Sequence, residues 1–218
     1  MPDNTVDTAA VPEIDPGLVT VGSPVEGGCV FTDLAGKAAA PTGAAQPLDD
    51  GFVSLGELST NGFTQSTEVN TTEHQGWHGT TLLTDITDQK EKVKLELVEV
   101  DRLAVAQLRY GVGNVRPSAD DPSTFEAIDV KGVPSHTVPL VIDELESNGW
   151  LRRTVYPKVK IDSVDDVPHQ KGNLMVYGVS LTAIAAADGS THHIYHAKPK
   201  GADAEPGTPE AGGEDATE

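Results

Sequence analysis

The clearest pattern of polar and apolar residues lies between Gln89 and Gly111. Val93, Leu95 and Leu97 fall on one face of an extended chain, and Lys92, Lys94 and Glu96 on the other. A period of two describes a strand with one face on a core and one in water. At Asp101 the period changes. Val100, Leu103, Ala104 and Leu108 follow the spacing of a helical stripe. Asp101 suits the N-cap, Arg109 the last turn and Gly111 the left-handed C′ position. The expected unit is a strand running into a helix of about three turns. No other stretch carries a convincing helical pattern.

Elsewhere, alternation and turn residues predict short strands. Residues 18–21 and 28–32 are candidates, followed by an Ala/Gly/Pro loop over 33–50. Residues 52–58 read as a strand, Asn61-Gly62 as a type I′ hairpin turn and 63–69 as the return. Residues 70–88 read as a long threonine-rich connection around Trp77, without a strand pattern until 80–86. Past the helix, 124–131 is a strand and 137–146 a buried one. Asn148-Gly149 marks a second hairpin turn, with 150–161 returning. There Leu151, Val155, Val159 and Ile161 share one face, and Arg152, Thr154, Tyr156, Lys158 and Lys160 the other. Residues 162–172 form an acidic loop. Residues 174–186 form an apolar strand with Gly178 as its bulge, and Asp188-Gly189 is a third hairpin turn, returning over 191–197. The expected fold is mainly β: a β-sandwich or partly closed barrel with one flanking helix, over residues 18–198. Residues 1–17 are expected to be a flexible arm and 199–218 a disordered acidic tail.

Charge sharpens this picture. The net charge is −19. The first fifty residues carry eight acids and one base, and the last twenty carry six acids and one base. An acidic chain repels nucleic acid, which excludes DNA binding through a basic face but not a surface that DNA passes without sticking. Cys29 is alone, so neither an intrachain disulfide nor a cysteine metal cluster is expected. The start lacks the basic and apolar regions of a signal peptide, and no apolar run is long enough to cross a bilayer as a helix. The expectation is a soluble chain made in a cytoplasm, with no membrane partner. The sequon Asn70-Thr71-Thr72 carries no meaning without secretion.

No catalytic constellation emerges, and the expectation is a protein that is not an enzyme and takes no cofactor or metal. His74 and His78 are four apart, but Gln-Gly-Trp separates them and the Glu of a zinc-protease helix is missing. His192 and His196 share a strand face, yet lie about 13 Å apart at about 3.3 Å per residue. The glycines of Tyr110-Gly-Val-Gly-Asn114 follow a helix and lack the third glycine of a nucleotide loop. The acid pairs Asp120-Asp121 and Asp165-Asp166 read as solvated loops, with weak calcium binding as the alternative. The basic face of Arg152, Lys158 and Lys160 has three open readings: an acidic neighbouring subunit, an anion or water. Trp77, with Thr80, Thr81, Leu82 and Leu83 behind it, reads as a subunit interface, with Trp77 folded back over its own sandwich as the alternative. A large exposed aromatic is costly until a partner covers it, and threonines favour pairing of extended chains.

The order of elements resembles the major tail tube proteins of long-tailed, siphovirus-type bacteriophages, especially those infecting actinobacteria. The residues that carry the likeness run from Val21-Gly22 through Gly28-Cys-Val-Phe31 to Gly51-Phe-Val-Ser-Leu-Gly56. They continue with Leu58-Ser-Thr-Asn-Gly-Phe63, the Trp77 segment, Lys94-Leu-Glu-Leu97, Leu108-Arg-Tyr-Gly111 and the final turn at Asp188-Gly189. The likeness covers residues 18–198. It implies a β-sandwich-like domain with one helix, related to the type VI secretion tube. It also implies a virion structural role, in which six copies form a ring, inner strands close a barrel and rings stack into a conduit for DNA. The long loop would reach neighbouring subunits. The implied partners are further copies of the chain, a tape measure protein in the lumen, and tail terminator and distal tail proteins at the ends. DNA would be a transient occupant. The implied location is the virion tail, assembled in the host cytoplasm. Another virion protein, such as a tail terminator or capsid decoration protein, and a monomeric carbohydrate-binding β-sandwich are the alternatives. Sugar-binding modules display clustered aromatics, whereas Trp77 and Trp150 fall on different elements.

Overall fold

The computed structural model describes residues 19–24, 29–132 and 135–198. The expected arm over 1–17, the tail over 199–218, and Leu18 and Gly28 lie outside the described residues. The elements in order are β1 (Gly22–Pro24), β2 (Val30–Thr32), β3 (Val53–Ser54), β4 (Leu58–Gln75), β5 (Thr81–Leu97) and α1 (Leu103–Tyr110). Then come β6 (Val115–Pro117), β7 (Phe125–Ile128), β8 (Thr137–Glu146), β9 (Leu151–Val164), β10 (Tyr177–Ala183) and β11 (His193–Ala197). The fold is mainly β with one helix.

Among the described residues, nine strands form one antiparallel sheet in the order β3-β2-β8-β9-β10-β5-β4, with β1 against β8 and β11 against β9; β6 and β7 pair separately. Val30, Leu140 and Ile142 from one half of the sheet share a core with Val93, Leu95, Leu97, Val179 and Leu181 from the other, and with Val105 and Leu108 of α1. A single flat sheet cannot bring these together, so the sheet bends round its own core. The chain passes from β3 at one edge to β4 at the other through residues 55–57 alone. Along this passage Leu55 N–H donates to Val30 O at 2.8 Å, and Val98 N–H donates to Glu57 O at 3.2 Å. The single strand expected over 52–58 is therefore broken here.

The alternation of Val93, Leu95 and Leu97 is borne out, and all three are fully buried. The two later hairpin signals divide. Asn148-Gly149 joins β8 to β9 as expected, with Gly149 at φ 81°. Asp188-Gly189 turns locally, but β11 does not return along β10. Both strands pair with β9, β10 over Val159–Val164 and β11 over Leu151–Val155, so they lie in line along one edge. The turn is a detour within one interrupted strand. Asn61-Gly62 is not a hairpin turn either. It sits inside β4, where the register jumps from Leu58↔Leu97 to Phe63↔Leu95. Glu96 of β5 accepts from Ser59 Oγ at 2.7 Å and Asn61 Nδ2 at 2.8 Å, which holds the extra residues as a kink. Strand 124–131 shortens to β7, and strand 174–186 to β10. Its irregularity lies between Ser180 and Leu181, where β9 carries the extra residue Asp162, and not at Gly178. No strand covers residues 19–21; β1 begins at Gly22.

The helix has eight residues, about two turns at 3.6 residues each. Arg102, not Asp101, occupies the N-cap position, and no side chain caps it. The free N–H of Leu103 instead donates to Ser123 O at 2.8 Å, so the loop before β7 does the capping. Gly111 has φ 93° and ψ 140°, which favours glycine but is not the left-handed helical conformation expected. Arg109 stands in the last turn, as expected. Its guanidinium lies 4.6 Å from the Tyr177 ring and donates to Asp165 O and Gly178 O, fastening α1 to β10 and the loop before it. Burial, then the neighbouring Tyr110, pushes the Tyr177 hydroxyl up to about 12.

Candidate functional site

Beyond the body of the sheet, β4 and β5 continue as an arm. β10 pairs with β5 only from Lys92 to Leu97. Outward of Thr67 and Glu91, β4 and β5 pair only with each other, as far as Gln75 and Thr81. Thr67 to Gln75 is eight steps, so at about 3.3 Å per residue this two-stranded ribbon extends roughly 26 Å. The expected long connection over 70–88 is thus a hairpin whose turn is only residues 76–80. Gly76 N–H donates to Thr80 O at 2.8 Å, Gly79 N–H to Gly76 O at 2.9 Å, and Gly79 takes φ 79°. A bare ribbon has little burial to stabilise it, and polar cross-strand ties support this one. Thr67 Oγ1 donates to the Glu91 carboxylate at 2.9 Å, Thr87 Oγ1 to Asn70 O at 3.1 Å, and His74 Nε2 lies 3.2 Å from Asp85.

The register assigns the faces. Thr71↔Ile86 and Glu73↔Thr84 place Ile86 and Thr84 on one side; Thr72↔Asp85 and His74↔Leu83 place Leu83 and Asp85 on the other; Leu82 is the extra residue of a bulge, because Gln75 pairs with Thr81. Trp77 sits at the apex, 99% exposed, with Leu82 at 72% and Ile86 at 68%. The structure therefore brings Trp77, Thr80, Thr81, Leu82 and Leu83 together at one tip. Within it Thr80 closes the turn and Thr81 Oγ1 donates to Glu73 at 3.2 Å.

Arg152, Lys158 and Lys160 do not form one basic face. Val138 pairs with Val159, but Leu140 pairs with Tyr156, so β9 carries an extra residue around Pro157 and Lys158. One extra residue exchanges the two faces of a strand. Thr154 and Tyr156 are buried, and Tyr156 joins the core with Val159 and Ile161. Arg152 lies on the core-facing side, 3.9 Å from Glu144, where burial pushes the Glu144 carboxyl up against the opposing pull of Arg152. Lys158 and Lys160 are exposed on the opposite side. Near Lys160, Lys92 is held between Glu68 and Asp162 at 3.0 Å each, which raises its affinity for its proton.

The exchange of faces also buries a pair the alternation pattern hides. Arg153 donates from Nε to Asp143 Oδ1 at 2.6 Å and from Nη2 to Oδ2 at 2.7 Å. Its Nη1 reaches the Gly43 and Gln46 carbonyls, pinning the 33–50 loop to the sheet. That loop is knotted at its start by buried Asp33, which accepts from the N–H groups of Ala35, Lys37 and Ala38. A two-residue Asn148-Gly149 turn would set Asp143 against Thr154; the hairpin is instead centred on Asn148, with Asp143 and Arg153 five residues to either side and facing each other.

The other chemistry-bearing residues have local partners. His192 packs on Tyr156 at 5.3 Å, and His196 Nδ1 lies 3.8 Å from Glu146. Ser190 Oγ donates to Asp188 at 2.6 Å and lies 3.1 Å from His193 Nε2. Here the carboxylate holds the hydroxyl and not the imidazole, the reverse of a nucleophile relay, and the bonds close a turn. Asp121 accepts from Ser123, and Asp165 pairs with Lys94 at 2.6 Å. Among the described residues, no group of three or more His, Cys, Asp or Glu is placed to hold a metal ion, and no helix is long and apolar enough to cross a membrane. No family model matches the chain, and no curated protein matches it.

Proposed function

We propose that this chain is a self-assembling structural subunit, a tail tube protein of the long-tailed bacteriophage type. The observation that carries the reading is the arm: a long ribbon with Trp77 at its apex and Leu82 and Leu83 exposed at its tip. A monomer gains nothing from holding these in water. Buried in a neighbour, an aromatic anchor of this kind is a typical hot spot of association. Among the described residues the outer edge of β4 is unpaired, which supports the same reading, because an open strand edge accepts a further strand from another copy. In this account six copies form a ring, strands of all six complete a barrel that one chain leaves open, and rings stack into the conduit. The net negative charge suits a wall that DNA passes without binding. A tape measure protein within the lumen, terminator and distal tail proteins at the ends, and the virion tail as location follow from the same proposal. Sedimentation velocity across a concentration series tests it. The account expects monomer to give way to hexamer and larger species, and a single monomer boundary at every concentration would remove it.

A further inference from the structure

We infer that the arm tip of one copy plugs the cleft beside α1 of a second copy, an inference that rests on the self-assembly reading and names its receptor. Residues 75–84 contain no Asp, Glu, Lys or Arg. Leu83 pairs with His74, Leu82 is the extra residue of the bulge beside it and lies against Gly76, and Trp77 stands beyond both, 99% exposed. A flat surface covers only one ring face of such an apical indole and leaves the other in water. A cleft covers both.

A cleft of about 370 Å³ is open between α1 and the β3 segment, walled by Leu34, Val53, Leu103, Ala104 and Pro122, with Arg102 at its edge. Its charged groups are already engaged. Asp33 is bonded to its own loop, and Arg102 donates to Glu99 from Nε at 2.8 Å. The walls therefore do not call for an ionic ligand. Apolar walls beside a guanidinium suit an indole, which gains both burial and cation–π attraction.

The occupant is a second copy because the first cannot reach. The tip lies at the start of β5, and α1 follows its end. Sixteen residues separate Thr81 from Leu97, roughly 50 Å of extended chain at about 3.3 Å per residue. Tip and receptor thus sit at opposite ends of one long strand. Docking one into the other joins two different surfaces, which either closes as an antiparallel pair of copies or propagates into a ring or an open stack.

Complementation tests this. Trp77→Ala removes the plug. Val53→Lys and Pro122→Glu each place a charge at the exposed rim of the cleft, where neither disturbs the core. Each variant alone is expected to keep the circular dichroism of the parent and to remain monomeric where the parent assembles. An equimolar mixture of Trp77→Ala with either cleft variant is expected to form one-to-one heterodimers and stop there. One intact tip then meets one intact cleft, while the remaining tip and cleft are both disabled. If the cleft variants assemble like the parent while Trp77→Ala does not, the cleft is the wrong receptor and self-assembly stands. If the mixture stays monomeric, the pairing of tip with cleft is wrong. If the parent itself never assembles, both the inference and the reading beneath it fall.

Discussion

Arg153 and Asp143 are the sharpest test of how the sheet holds its covering loop. Their side chains are 6% and 10% exposed, and two hydrogen bonds join them. Arg153→Ala leaves a buried carboxylate without its cation, leaves the Gln46 carbonyl without its Arg153 donor, and leaves the Gly43 carbonyl with only the Gln46 N–H at 3.4 Å. Removing one partner of a buried pair costs about 3–5 kcal/mol. Against a domain stability of about 5–15 kcal/mol, that is a large shift of the urea midpoint. Asp143→Ala strands the guanidinium and is expected to cost a similar amount. The double variant Asp143→Leu/Arg153→Met strands neither charge, so its cost falls well below the sum of the singles. Hydrogen exchange supplies a local readout. Amides over 42–46 lose protection when Arg153 is replaced, because the loop loses its anchor. Strictly additive single effects in urea, or unchanged exchange over that loop, would refute the coupling.

Other consequences follow from individual side chains. Burial, reinforced by Glu57, pushes the Cys29 thiol up to about 11, so the folded protein is expected to resist alkylation at pH 8 and react on unfolding; reaction at the rate of a free thiol would contradict this. The raised Glu144 carboxyl means that its charge opposes folding above its folded pKa, an effect that fades as pH falls through that pKa and vanishes below the unfolded value of 4.5. Glu144→Gln is therefore expected to stabilise at pH 7 and lose that advantage near pH 4, as read from melting at the two pH values. A Cβ on Gly178 would meet Asp165 Oδ2 at 2.3 Å and Asp165 Cβ at 2.8 Å, so Gly178→Ala is expected to lower the melting temperature, and Asp165→Gly in the same chain, which removes both atoms, to restore part of the loss.

What could be read from the sequence, and what could not, divides along one physical line. Patterns internal to a strand were legible: the alternation of Val93, Leu95 and Leu97 places all three in the core, and β8 spans residues 137–146 as expected. Patterns that depend on a neighbouring strand were not. The extra residue in β9 exchanges its faces, and only the register with β8 reveals it. Asn61-Gly62 has turn chemistry, yet Glu96 on the adjacent strand makes it a kink. The arm was read as a loop because its threonines and charges face water on both sides. Without one buried face, the alternation that signals a strand does not arise. Trp77 and its neighbours were legible as a cluster because an exposed tryptophan stands out in any context. Arg152 was grouped with Lys158 and Lys160 on an alternation that the irregularity in β9 interrupts.

The central claim is that this chain builds a tube through its arm. Negative-stain microscopy of the concentrated protein, beside Trp77→Ala prepared identically, tests it most directly. The account predicts six-membered rings and stacked tubes for the parent and none for the variant. A parent preparation free of rings and tubes at every concentration would contradict the account, and tubes of normal abundance from Trp77→Ala would contradict the role of the arm.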